Sequence, residues 1–164
     1  PRMMPTPGFA PQSAKVDATQ SRQVVIFELG QVHYGLALES VDEIVRMVAL
    51  TPAPNTPDWV IGYLNLRGEI LPVADMRMRL YQQSSAAILL NTPIMIVRED
   101  KWRAWWIVDA VSDITHLPAR LADTPTGAGE IITLDGQPLL VIEPAGYIHE
   151  LHTLAGHSLR SANQ

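Results

Sequence analysis

The chain of 164 residues contains no cysteine. Disulfides, thiolate metal centres and thiol nucleophiles are thereby excluded, and this usage fits a cytoplasmic setting. Charge is sparse, at 18% of residues, and sums to −5 without any basic run, which argues against a non-specific nucleic-acid binder. Long apolar runs are missing as well. The longest uncharged stretch, Leu80 to Val97, is broken by Gln82, Gln83, Ser84, Ser85, Asn91 and Pro93. A bilayer span of about 20 apolar residues does not tolerate that mixture, so no membrane insertion is expected. Residues 1–20 lack the apolar core of a secretory signal. No glycine-rich phosphate loop, nucleophile elbow or Ser/His/Asp ordering occurs, so neither an enzyme nor a cofactor is expected.

What is present is a β-rich pattern in a chain that is 47% hydrophobic, a globular composition. The opening "PRMMPTPGFAPQSAKVDATQ" (1–20) has four prolines within its first eleven positions and reads as a flexible arm. From Val24, "VVIFELGQVHYGLAL" places Val25, Phe27 and Leu29 on one face. Tyr34, Leu36 and Leu38 follow a Gly30-Gln31 break at the same period of two, which is a hairpin pattern. "ESVDEIVRMV" continues extended. In "TPAPNTPDWVIG", Thr56 as cap, Pro57 at the first position, Asp58 and a terminal Gly62 predict one short helical turn. "DMRMRLYQQ" predicts a short helix before a polar linker around Gln82–Ser85. A second β-rich half starts near Ile94, and the pattern after Pro144 turns helical, with fraying expected from Leu159.

The halves repeat one another. "LALESVDEIV" (36–45) aligns with "WIVDAVSDIT" (106–115) at an offset of 70, matching Leu38 to Val108, Glu39 to Asp109, Val41 to Val111, Glu43 to Asp113 and Ile44 to Ile114. "NLRGEILPVADM" (65–76) aligns with "TLDGQPLLVIEP" (133–144) at an offset of 68. Two blocks in the same order indicate a duplicated module of about 70 residues with about five short strands. A sheet that small leaves exposed edges unless it closes, so two small barrels sharing a core are expected.

The hairpin tips differ. Asp135-Gly136 is a strong two-residue turn because both residues tolerate positive φ. Arg67-Gly68 suits a type II turn or a glycine bulge better, so Arg67 is not there for turn chemistry. It reads either as a solvated tip or as a rigid donor group offered to a partner.

Three further features have plainer readings. "HELH" places His149 and His152 three apart, not the four a zinc signature needs, and with His157 it reads as a polar helix rather than a metal site. "KWRAWW" puts Trp102 and Trp106 on one strand face and Trp105 on the other. A small barrel is not expected to bury both faces, so one tryptophan, Trp105 being the candidate, is expected to stay partly exposed as an interface anchor. The carboxylates Glu39, Asp42, Glu43, Asp109 and Asp113 recur near strand ends in both modules, which favours structure or partner contact over a hydrolytic pair.

The runs "FELGQVHYGLALESVDEIVRM", "PAPNTPDWVIGYLNLRGEILPVADMRMRL" and "WWIVDAVSDIT" resemble the CheW family, the coupling proteins of bacterial chemotaxis-type signalling. The similarity covers about Val24 to Glu143. It implies two five-stranded SH3-like β-barrels around a common hydrophobic core, with short helices including one at the C-terminus. The expected division is an arm over 1–20, a CheW-like domain over 21–158 with intertwined subdomains at about 21–80 and 92–145, and a frayed tail over 159–164. The implied role is a non-enzymatic adaptor between the cytoplasmic tip of a chemoreceptor and the regulatory domain of a CheA-type histidine kinase. By the same resemblance Val41, Glu43, Ile44, Asn65, Arg67 and Gly68 fall on motif positions with partner contact implied for some, Arg67 first. Two departures stand out: Trp105 occupies a position that is commonly glycine in the family's second barrel, and "LPARLADTPTGAGEI" is short. The alternatives are a small-molecule sensing domain using a pocket between the barrels, or a kinase-regulatory domain acting outside flagellar chemotaxis, for example in a pilus-type system.

Overall fold

Alternating apolar positions set the strands, and their turns set the order. The computed structural model describes residues 21–81, 87–89, 91–119 and 129–162, with side chains of the last helix described to residue 156. The expected arm over 1–20, the linker around Gln82–Ser85, most of the short segment after Leu117 and the His157 side chain lie outside the described residues. The strands are β1 (Ser21–Leu29), β2 (Val32–Ala37), β3 (Val41–Arg46), the two-residue β4 (Thr51–Pro52), β5 (Val60–Leu66) and β6 (Glu69–Asp75). After the short helix α1 (Met76–Tyr81) come β7 (Pro93–Glu99), β8 (Trp102–Ile107), β9 (Ala110–Pro118), β10 (Glu130–Leu134) and β11 (Gln137–Val141). The helix α2 (Ala145–Ala162) is the last described element.

These strands form two sheets. Sheet I has the order β3-β7-β8-β6-β5-β4 and sheet II the order β10-β11-β2-β1-β9. Sheet I therefore occupies a continuous stretch, 41–107, while sheet II joins strands from both sides of it. Neither sheet coincides with one of the repeated halves. The β7–β8 hairpin, with Trp105, belongs with β3–β6, and the β1–β2 hairpin belongs with β9–β11. Each sheet contains one parallel contact, Val73 beside Trp105 between β6 and β8, and Val141 beside Gly35 between β11 and β2.

Three apolar clusters fill the molecule. One lies within sheet I (Met47, Leu64, Leu71, Val73, Ile94, Ile96, Trp105, Ile107) and a smaller one within sheet II (Val24, Ile26, Leu117, Leu139, Val141). The largest lies between the sheets, where Phe27, Leu29 and Leu36 of sheet II meet Met95, Val97 and Trp106 of sheet I. Ile148 and Leu151 of α2, spaced three apart, add to it.

This shared core corrects the expectation for the tryptophans. Strand β8 is buried on both faces, Trp105 within sheet I and Trp106 between the sheets, so Trp105 is only 3% exposed. The partly exposed tryptophan is Trp102, at 40%, which stands edge-on to His149 and His152 of α2. The helical turn expected at Thr56 is also absent. Pro57 and Val60 close a single backbone turn, and the Thr56 hydroxyl donates to the carbonyls of Ala53 and Val60. Gly62 lies inside β5 at a register shift, where any Cβ would sit 2.1 Å from the Thr51 carbonyl oxygen. The passing β4 backbone, not a helix end, requires that glycine.

A buried ion pair fixes the end of β6. The Arg77 Nε and Nη2 donate to the two carboxylate oxygens of Asp75 at 2.9 Å each, with both side chains about 5% exposed. Arg77 Nη1 also lies 3.6 Å from Asp109, whose other oxygen accepts the Gly30 N–H at the β1–β2 turn. One guanidinium thus ties the two sheets together. The hydrogen bonds that Arg77 donates to Asp75 raise the Arg77 pKa above its ordinary value. Because the folded value is the higher one, the guanidinium's contribution is complete at neutral pH and fades as pH climbs through that raised value. Asp75→Ala leaves a buried guanidinium short of its main partner, and urea unfolding should show a loss of about 3 kcal/mol. Replacing both at once, Asp75→Ala with Arg77→Met, leaves neither partner of the pair as an uncompensated buried charge and should cost distinctly less than removing Asp75 alone.

Candidate partner-binding site

The β5–β6 hairpin carries the sequence motif, and its register pairs Leu66 with Glu69, leaving Arg67-Gly68 as a two-residue loop. Arg67 has φ 50° and Gly68 φ 89°; at the sibling hairpin Asp135 has φ 52° and Gly136 φ 78°. Both loops thus place two successive residues at positive φ, and the type II geometry expected at Arg67 is not found. A two-residue loop between right-twisted strands demands the primed turn whatever residue occupies it. Arg67 holds a left-handed conformation that costs an ordinary side chain about 1–2 kcal/mol. Asn65 supports it, its Oδ1 accepting the Gly68 N–H at 2.9 Å.

The Arg67 side chain is 72% exposed and reaches across to β3, where its two terminal nitrogens face the Glu43 carboxylate at 3.3 and 3.4 Å. In strand order β3 and β5 stand far apart, so this pair shows sheet I curling back on itself. An exposed pair of this length contributes little to stability, about 0–1 kcal/mol. Asn65, Arg67 and Gly68 are exposed with Glu43 beside them, so the structure brings these four together. Ile44 is exposed on the alternate side of β3, and Val41 is half-buried against the shared core. Trp105 lies beneath the surface and offers it nothing.

The sequence reading named Asp42 but missed its charged neighbours Arg98 and Arg103 around this hairpin. Arg98 and Arg103 sit directly opposite each other on β7 and β8, an unfavourable pairing of like charges. Asp42 relieves it, accepting from Arg98 Nε at 2.8 Å and lying 3.5 Å from Arg103, which also pairs with Glu69. The hydrogen bond with Asp42 raises the Arg98 pKa, and that with Glu69 raises the Arg103 pKa, so both stay cationic. Exposed Ile70 and Trp102 add apolar area beside them. Arg103 meets Glu69 only because β8 lies parallel to β6, and no local sequence signal announces that neighbour. A better marker was available for the buried pair, since Asp75 and Arg77 stand in the motif itself.

The CheW-like domain profile matches residues 23–152, which span the β5–β6 hairpin, β3 and both sheets. The chain belongs to the CheW-like family. Its similarity extends to the chemotaxis protein CheW of Klebsiella aerogenes, 34% identical over 68% of this chain and 67% of that protein. The CheW of Rhizobium meliloti is 28% identical over 80% and 90%, and the protein FrzA of Myxococcus xanthus 30% identical over 73% and 75%. The crystal structure of the scaffolding protein TtCheW from Thermoanaerobacter tengcongensis superposes with a TM-score of 0.61 and 29% identity, covering 74% of this chain and 88% of that one. The two sheets are accordingly the two SH3-like subdomains of a CheW-like fold, sheet I with β4 as an added sixth strand. Among the described residues no group of three metal-ligating side chains occurs, and no helix is long and apolar enough to cross a membrane.

The strain at the apex gives a direct prediction. Asn tolerates the left-handed conformation far better than Arg, so Arg67→Asn should raise the unfolding free energy by about 0.5–1 kcal/mol despite losing the Glu43 pair. Chemical denaturation measures it, and a loss of stability would show that the ion pair outweighs the strain.

Proposed function

We propose that the chain is a non-enzymatic, cytoplasmic adaptor that couples chemoreceptors to a CheA-type histidine kinase. The observation carrying this reading is Arg67, an exposed arginine held at a strained apex where its own molecule gains almost nothing from it. Five rigid donors on a short hairpin suit a partner's carboxylate or backbone carbonyls. Glu43 aims the guanidinium, Asn65 and Gly68 shape the loop, and Ile44 supplies exposed apolar contact, with Val41 packing beneath the strand. These residues form the proposed contact set, and the buried Trp105 is withdrawn from it. Relatives named chemotaxis protein CheW and a scaffolding protein of the same fold support the assignment to chemotaxis-type signalling. An adaptor needs about 800 Å² per partner at each stable contact, and two such patches fit on a chain of this size.

The test is co-sedimentation and titration with a kinase regulatory domain and a receptor cytoplasmic hairpin. Arg67→Glu should weaken at least one of the two complexes by about tenfold or more, equivalent to about 1.4 kcal/mol, while leaving the melting temperature within about 2 °C of the parent. Unchanged affinity for both partners removes Arg67 from the site.

A further inference from the structure

The two sheets present the same five strands in the same order, so their interiors can be compared position by position. Strands β10, β11, β2, β1 and β9 of sheet II correspond to β5, β6, β8, β7 and β3 of sheet I. Gly35 stands between Val141 and Ile26 as Trp105 stands between Val73 and Ile96. Ile26 lies opposite Asp113 as Ile96 lies opposite Glu43. The loop Asp135-Gly136 closes its hairpin as Arg67-Gly68 closes the other.

Two exchanges at these positions change what the second subdomain holds. The Trp105 indole, which fills sheet I, is replaced by Gly35, which contributes no side chain. Val24 occupies the space directly beside Gly35, since an added Cβ would approach its Cγ1 to 2.6 Å. Toward the hairpin, however, a cavity of about 380 Å³ remains, with Ile26, Leu134 and Leu139 as apolar walls and Asp113, Asp135 and His33 among its polar lining. The ion pair is altered too. Where sheet I has Glu43 and Arg67, sheet II has Asp113 and Asp135, two carboxylates with no guanidinium between them among the described residues. Asp113 accepts from the N–H of its neighbour Ile114 at 2.7 Å, and Asp135 has no hydrogen-bond or ion-pair partner among the described residues. The nearby imidazole of His33 faces Glu28 instead, at 3.7 Å.

We infer that this cavity binds an organic cation, a guanidinium on a short apolar stem. The head lies between Asp113 and Asp135 in the role that Arg67 fills covalently at the sibling site, and the stem lies on Ile26, Leu134 and Leu139. A planar guanidinium offers enough donors for two carboxylates, and the apolar walls suit its stem where a hydrated metal ion would leave them uncovered. The volume is that of a small-ligand pocket. The inference stands apart from the adaptor reading, because it uses the other subdomain and none of the residues assigned to partner contact.

Titration of the isotope-labelled chain with butylguanidinium, followed by amide NMR, tests it. Saturable shifts should appear at Asp113, Thr115, Asp135 and Leu139, and 1-pentanol at the same concentration should not produce them. Asp113→Asn and Asp135→Asn should each weaken binding about tenfold, as expected for loss of a charge-assisted contact. Asn keeps the left-handed turn at 135, and a dispersed spectrum confirms that the fold survives. Asp135→Arg, which copies the Arg67 arrangement, should abolish binding. An N-acetyl arginine amide that binds more tightly than butylguanidinium assigns the cation to a protein side chain, and the reverse order assigns it to a free small molecule; either order sustains the site. Absence of saturable shifts, or shifts that persist in both Asn variants, overturns it.

Discussion

Two parallel strand contacts, β6 on β8 and β11 on β2, hold this architecture together. The sequence repeats a module, yet neither copy keeps its own leading hairpin. Each sheet joins a closing hairpin from one copy to a leading hairpin from the other, and the parallel contact is the seam. That exchange puts β8 and β1 inside their sheets, away from either edge, and leaves both of their faces apolar. The face turned away from one barrel interior then finds cover only against the other sheet. The shared core is the result, and it includes Phe27, Leu29, Met95 and Trp106, four large side chains that exposure to water would penalise by about 1.5–3 kcal/mol each.

The seam also positions the proposed contact surface. Placing β8 beside β6 brings Arg103 to Glu69, and Asp42 then bridges Arg103 and Arg98. The hairpin bearing Arg67 is thereby flanked by a charged network rather than standing alone. Arg79 plays a comparable part at α2, lying 5.4 Å from the Trp59 ring and 5.1 Å from that of Tyr147 while pairing with Glu150. With the Tyr63 hydroxyl donating to the Ala155 carbonyl, it fastens α2 to sheet I.

Much of this was legible in the residues. Period-two runs located the hairpins, and the two matched blocks announced the duplication that the sheets display as equivalent strands. The oddness of Arg67 was legible too, though the reason needed adjusting. Its φ is positive after all, and the misfit between residue and conformation is sharper than an alternative turn would have made it. What escaped were consequences of long-range pairing. Strand exchange cannot be read from a repeat, because each hairpin looks the same whichever sheet receives it. Without the exchange the burial of Trp105 is invisible, since a lone barrel would leave one face of β8 wet. At Thr56 the residues were read as a capped helical turn, but the Thr56 hydroxyl donates to two carbonyls instead of capping N–H groups, and Gly62 serves the close approach of Thr51 rather than a helix end.

Sheet I is drawn from one uninterrupted span, 41–107, whereas sheet II needs residues 21–37 together with 110–141. During synthesis on a ribosome the β1–β2 hairpin emerges early but must wait for more than a hundred further residues before its parallel neighbour exists. The central subdomain can therefore assemble first, and the outer one closes around it last, as a late step set by long-range loop closure. Until then Phe27 and Leu29 lack their final cover, so the newborn polypeptide is most exposed to aggregation in the interval before β11 leaves the exit tunnel.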